Sequence, residues 1–203
     1  MKILRLDEGM DEGLKQGVRV LERGGLVVYP TDTLYGLGCN ALDEKAVRRV
    51  FEAKSRSLNN PLPMAVDSLE MMGRYALVNE FAKKIAKKFL PGPLTLVLKK
   101  KKLPDVLTAG LPNVAVRIPK SDATLKLIKQ AGFPITATSA NVSGRPPPVT
   151  VEEVEEQISV DLILDAGRLG VRMPSTILDL TGRPKILRVG KVKKEEIAQV
   201  LEI

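Results

Sequence analysis

A chain of 203 residues with 44% hydrophobic side chains is long enough to bury a core as one domain without covalent staples. The absence of histidine and the presence of a single cysteine, Cys39, exclude Ser–His and Cys–His nucleophile pairs, an intramolecular disulfide and the usual kind of structural zinc site. A net charge of +8 favours anionic partners or a lysine-rich solvated surface, and 3% aromatics with no tryptophan argue against recognition built mainly on base stacking.

In chain order, residues 3–6 predict a short strand and 11–22 a helix with Leu14, Val18 and Leu21 on one face. Gly24-Gly25 stops that helix, and Leu26, Val27, Val28 and Tyr29 make a buried-strand run ended by Pro30. Residues 31–42, rich in Thr, Gly and Asn, read as a loop. Asp43 then caps a helix whose inner face is Ala46, Val47, Val50 and Phe51. A polar, basic loop at 54–61 precedes a strand at 62–66. A strongly basic amphipathic helix over 79–89 is broken by Pro91-Gly92-Pro93. A strand at 94–98, a lysine run at 99–102, a strand at 114–118 and a helix at 122–131 closed by Gly132 follow. A strand at 135–138 leads into the Gly/Pro-rich stretch 141–149. Thr150 and Glu153 have the spacing of a capping box. Strands at 162–164, 176–180 and 186–189 and a helix at 193–201 complete the chain. The late strands are too close for crossover helices, so the expected class is α/β with α+β character: an open mixed sheet with helices packed on it. The whole of 1–203 reads as one domain. No apolar run approaches the ~20 residues of a membrane span. Asp7 and Glu8 follow Met1 too soon for a signal peptide, so the expected location is the cytoplasm.

No Gly-x-Gly-x-x-Gly follows a strand and no Walker-type Gly-Lys-Ser/Thr is present. Chemistry must come from other clusters. In Tyr29-Pro30-Thr31-Asp32-Thr33-Leu34-Tyr35-Gly36-Leu37-Gly38, the glycines permit close approach of a ligand, and the threonine hydroxyls serve either that ligand or their own turn. Lys54-Ser55-Arg56 pairs a point charge with a bidentate fork, suited to phosphoryl oxygens or to a helix C-terminus. Thr136-Ala137-Thr138-Ser139-Ala140-Asn141-Val142-Ser143-Gly144 clusters hydroxyls and an amide just after a strand, as a ligand loop or a set of Asx or Ser/Thr turns. Arg117 and Arg188 sit in or beside apolar strands, where each needs a protein or ligand partner.

Together with Pro61-Leu62, Pro91-Gly-Pro-Leu-Thr95, Val116-Arg-Ile-Pro119, Pro174-Ser-Thr176 and Leu187-Arg-Val-Gly190, these segments resemble the YrdC family of threonylcarbamoyl-AMP synthases from about Gly25 to Gly190. The resemblance implies a YrdC-like fold, an open twisted sheet with a concave basic face. It implies ATP, L-threonine and bicarbonate as substrates with Mg²⁺ carried on the ATP phosphates, threonylcarbamoyl-AMP and pyrophosphate as products, and a downstream complex that transfers the threonylcarbamoyl group to tRNA. It casts Lys54, Arg56, Ser139 and Asn141 as the triphosphate clamp, Thr108, Ser139 and Arg188 as further nucleotide contacts, and Thr31, Arg117 and Thr176 as the L-threonine site. Ser57 stands where the family usually has proline, and Asn60 where a histidine is common, which bears on loop shape. Longer members carry a linker and a second domain over the site; with neither, the site here is expected to be more open or closed in trans. Two other readings remain. One is a carbamoyl-adenylate-forming carbamoyltransferase, as in hydrogenase maturation. The other is an RNA-binding module using Lys83, Lys84, Lys87 and Lys88 with the 99–102 run as a phosphate-tracking stripe.

Overall fold

The computed structural model describes residues 1–170 and 173–202. Strand β1 (Lys2–Arg5) runs directly into helix α1 (Leu6–Glu22), which buries Leu6, Leu14 and Leu21. The helix begins five residues before its predicted start and bends at Gly9, whose backbone is extended. Strands β2 (Val27–Pro30) and β3 (Tyr35–Gly38) follow, then α2 (Glu44–Ala53), where Asp43 accepts from the Lys45 and Ala46 N–H groups as expected of its N-cap. Next come β4 (Met64–Ala65), α3 (Leu69–Tyr75), α4 (Glu80–Phe89), β5 (Leu94–Lys99), α5 (Asp105–Thr108), β6 (Asn113–Arg117) and α6 (Asp122–Ala131), which Gly132 ends in left-handed conformation. The chain closes with β7 (Ile135–Thr136), β8 (Thr138–Ser139), α7 (Val151–Glu155), β9 (Leu162–Asp165), β10 (Thr176–Asp179), β11 (Lys185–Arg188) and α8 (Lys194–Leu201).

The strands form two mixed sheets, ordered β1-β9-β2-β3-β8 and β11-β10-β5-β6-β4-β7. β1, β9 and β2 are parallel, while β3 runs antiparallel to both β2 and β8. In the second sheet β10 is parallel to β5 and β6 to β4, and the remaining pairs are antiparallel. The α/β class with a mixed sheet and packed helices holds, with the sheet in two parts. The break lies inside the run predicted as one strand over 135–138. Thr136 pairs with Met64 in the second sheet, Thr138 with Leu37 in the first, and between them the Ala137 N–H donates to the Pro63 carbonyl (2.7 Å). One short segment thus stitches the two sheets together, and the concave space between them is walled by both. Among the described residues no helix is long and apolar enough to cross a membrane.

Candidate functional site

The hairpin of β2 and β3 makes one wall of that space. Tyr29 lies opposite Gly36 in the register, and its ring lies against Gly36 and Gly38 of β3. A Cβ at Gly36 would meet Tyr29 Cζ at 2.7 Å, and one at Gly38 would meet Cε1 at 2.8 Å. The two glycines therefore admit the neighbouring tyrosine, which corrects the expectation that they make room for a ligand. The ring is 1% exposed, its hydroxyl donates to the Thr136 carbonyl (2.8 Å), and burial raises its pKa above the ordinary phenol range.

Tyr29 lies beneath a basin of about 390 Å³ between the sheets. The other wall is one face of the second sheet. Thr95 and Val97, Ala115 and Arg117, and Ser175 and Ile177 enter as residues two apart, the period of a strand face. The small side chains Ala65, Ala115 and Ala137 keep the space open. Three guanidinium groups line it: Arg56, Arg117 and Arg188.

Arg117 is anchored on all sides. Its Nε donates to the Gly92 carbonyl (3.1 Å), Nη1 to Thr33 Oγ1 (3.0 Å) and Nη2 to Asp32 Oδ1 (2.5 Å). The protein partner that a buried arginine needs is thus Asp32, whose Oδ1 also accepts from the Lys120 N–H (3.0 Å). Among the described residues, the hydrogen-bond partners of Arg56 and Arg188 are carbonyls and a hydroxyl. Arg56 donates to the Asn60 and Pro61 carbonyls (3.0 Å each), and Arg188 to the Ser175 carbonyl (2.8 Å). Burial lowers the pKa of both, and for Arg188 the nearby charge of Arg117 adds to the effect. The basin therefore carries positive charge that protein carboxylates only partly balance, which suits a polyanion.

The other expected site residues divide. Thr31 and Ser139 line the basin beside the three arginines. Thr31 Oγ1 is spent on its own turn, donating to the Leu34 carbonyl (2.7 Å) and accepting from the Thr33 and Leu34 N–H groups. Lys54, Asn141, Thr108 and Thr176 are buried and do not line it. Lys54 Nζ donates to the Ser139 and Asn141 carbonyls (2.5 and 2.6 Å), and burial, with Arg56 adding to it, lowers its pKa to about 7. Asn141 Nδ2 donates to the Val142 and Arg145 carbonyls, folding its own loop. Thr108 is fully buried on α5, accepting from Lys100 Nζ (2.8 Å). Thr176 Oγ1 donates to the Val192 carbonyl (2.6 Å) and accepts from the Gly190 N–H (2.8 Å), a staple for the strand that carries Arg188. Ser175 and Thr95, which lie in two of the segments that carry the family resemblance but were given no role there, also line the basin, with their hydroxyls 2.9 Å apart. The sequence signal for them is period two within the predicted strand 94–98 and the residue before 176.

A wider depression of about 750 Å³ lies at the carboxyl ends of β1, β9 and β2 and shares Thr31 with the basin. Its cations are Arg5, paired with Asp7 (2.7 Å), and Lys120, and Asp122 and Asp165 also line it. Mixed charge makes it the poorer anion site of the two. Among the described residues no group of three or more His, Cys, Asp or Glu converges on a metal position.

Comparison with known proteins places the chain among relatives of the same fold. The family profile Sua5/YciO/YrdC, described as telomere recombination, matches residues 19–190. A threonylcarbamoyl-AMP synthase of Pyrococcus abyssi is 46% identical over 186 residues, covering 89% of this chain and 55% of that protein. A Methanocaldococcus jannaschii relative is 38% identical over 206 residues, covering 98% of this chain and 97% of its own length. The crystal structure of P. abyssi Sua5 complexed with L-threonine superposes with a TM-score of 0.93 at 42% identity, over 98% of this chain and 60% of that one. The chain thus spans little more than half of the Pyrococcus protein and nearly all of the Methanocaldococcus one. It belongs to the Sua5/YciO/YrdC family.

Proposed function

We propose that this protein is an L-threonylcarbamoyladenylate synthase, making threonylcarbamoyl-AMP and pyrophosphate from L-threonine, bicarbonate and ATP for a downstream complex that modifies tRNA. The observation that carries the reading is a basin walled by Arg56, Arg117 and Arg188, in a chain alike over nearly its full length to a Sua5 crystallised with L-threonine.

The chemistry suits a site without histidine. The threonine amine adds to CO₂ derived from bicarbonate, losing a proton to give a carbamate. A carbamate oxygen then attacks the α-phosphorus of ATP, and the bond to the pyrophosphate oxygen breaks. The nucleophile is already an anion, so the site's work is alignment and charge neutralisation. In this reading Arg56, Arg188 and the Ser139 hydroxyl, which line the basin, meet the triphosphate. Arg117, fixed by Asp32 and Thr33, offers its remaining N–H groups to the threonine carboxylate, with Thr31 at the rim. Thr176 acts through the strand it staples. Mg²⁺ on the phosphates would supply further charge neutralisation for the leaving pyrophosphate.

The test is incubation with ATP, Mg²⁺ and labelled bicarbonate, with and without L-threonine. A labelled adenylate and pyrophosphate that both require threonine are expected. An adenylate formed from carbamoyl phosphate instead would overturn the reading in favour of the carbamoyltransferase.

A further inference from the structure

Gly190 lies two residues beyond Arg188, where the chain leaves β11. A Cβ at this position would stand 2.3 Å from the Pro174 carbonyl oxygen, and 2.5 and 2.7 Å from the carbonyl carbon and oxygen of Ser175. Its φ lies outside the left-handed region, so glycine serves space here and not backbone conformation. Two stretches of backbone meet in that space. The Gly190 N–H donates to Thr176 Oγ1 (2.8 Å), and the Lys191 N–H to the Pro174 carbonyl (3.1 Å). The Ser175 carbonyl accepts from Arg188, through Nε (3.2 Å) and Nη2 (2.8 Å).

A side chain at 190 would meet carbonyl groups, which cannot rotate aside as a flexible side chain can. One stretch would have to move, and the topology decides which. β10 lies inside its sheet, paired with β5. The Thr176 N–H donates to the Pro93 carbonyl (3.0 Å), and Ser175 Oγ is 2.9 Å from Thr95 Oγ1. β11 is the edge strand, and Leu187 and Val189 are exposed on it and just beyond it. The side that yields is therefore the one that carries Arg188.

We propose that Gly190 is a positioning residue: its missing side chain lets residues 190–192 seat on residues 174–176, and that seat sets the Arg188 guanidinium in the basin wall. Gly190 itself does not line the basin. Ser175 holds the guanidinium by Nε and Nη2, which fixes the plane of a group whose use to an anion depends on its orientation. The effect on turnover rests on the nucleotide reading given above; the seat is a property of the ligand-free chain.

The Arg188 Nε–H signal in NMR follows the seat without nucleotide. In Gly190→Ala that proton should lose its bond to the Ser175 carbonyl and exchange with water at least about tenfold faster than in wild type, while amides of β5 and β6 stay protected. In adenylate formation the KM for ATP should rise at least about tenfold and the KM for L-threonine stay within about threefold, a split that general loosening of the fold would not give. In an Arg188→Ala background the same substitution should change the KM for ATP less than about twofold, because the group it acts through is gone. An unchanged Nε–H in a folded Gly190→Ala would overturn the proposal, as would equal rises in both KM values or effects of the two substitutions that multiply. If Gly190→Ala fails to fold, Thr176→Val takes its place: it removes the acceptor of the Gly190 N–H, and an unmoved Arg188 signal then overturns the seat. Because that signal is read on the ligand-free chain, a wild type that makes no adenylate would sink the functional reading while the Nε–H still decides the role of Gly190.

Discussion

Among the basin's cations Arg56 is the one with the fewest structural duties. Its two bonds go to the Asn60 and Pro61 carbonyls of its own loop, and its guanidinium is half-buried at the basin wall. Arg56→Ala should therefore leave a folded protein, with a stability loss of about 1–2 kcal/mol. Its turnover should drop at least about 100-fold, as expected for a lost charge-stabilising donor. Pyrophosphate release near the wild-type rate from a folded variant would remove Arg56 from the clamp. Lys54 carries a separate pH signature. Its folded pKa of about 7 lies below the unfolded 10.5. Between these values the unfolded chain holds a proton that the folded one does not, so stability rises with pH. The burial penalty is present in full below about pH 7 and is relieved as pH climbs toward 10. Urea midpoints at pH 6, 8 and 10 should thus rise in wild type relative to Lys54→Met. Parallel trends would mean that the amine is not desolvated.

The hairpin of β2 and β3 shows what an element can conceal. Residues 31–42 read as loop because glycine weakens strands. Yet Gly36 and Gly38 are strand residues, because Tyr29 covers the backbone they leave bare. The signal was present as an aromatic seven and nine residues before a Gly-x-Gly, but only strand pairing gives it meaning. Other elements were legible for local reasons: Asp43 and Gly132 mark helix ends, and the alternation in 94–98 and 114–118 marks a half-lined sheet face. Helices α3 and α5 and the division of 135–138 into β7 and β8 were not. The helices are short, the two strands have two residues each, and their partners come from distant parts of the chain. At the site, sequence brought forward Arg56, Arg117, Ser139 and Arg188, which share the basin. It could not tell a hydroxyl that faces a ligand from one that staples backbone, as Thr176 does. The glycine argument has a direct check. Gly36→Ala should cost about 1–3 kcal/mol by displacing the Tyr29 ring. In a Tyr29→Leu background the same change should cost much less. Additive losses in the double-mutant cycle would show that the ring is not what the glycine serves.

At the scale of the molecule, a chain of net charge +8 carries basic groups both in the basin and on the outer face of α4. The basin holds arginines fixed by backbone carbonyls and a carboxylate, whereas α4 carries Lys83, Lys84, Lys87 and Lys88 on its solvent side. Lys83 is paired with Glu80 (2.7 Å) and Lys84 approaches Glu202 (3.9 Å), so part of that stripe is already balanced. Exposed charges beyond the Debye length, about 8 Å at physiological salt, barely influence one another, whereas the buried guanidinium groups are screened far less. Replacing all four lysines with glutamine should therefore leave adenylate formation within about threefold of wild type in ~0.15 M salt. Any affinity for tRNA that runs through α4 should fall, and the slope of log affinity against log salt should flatten by as much as about 0.9 for each phosphate that a lysine no longer neutralises. Retention of the full slope would place RNA binding elsewhere. A collapse of adenylate formation would mean that the two charged surfaces act as one, with substrate drawn to the basin by the field of the whole protein rather than by the three arginines that wall it.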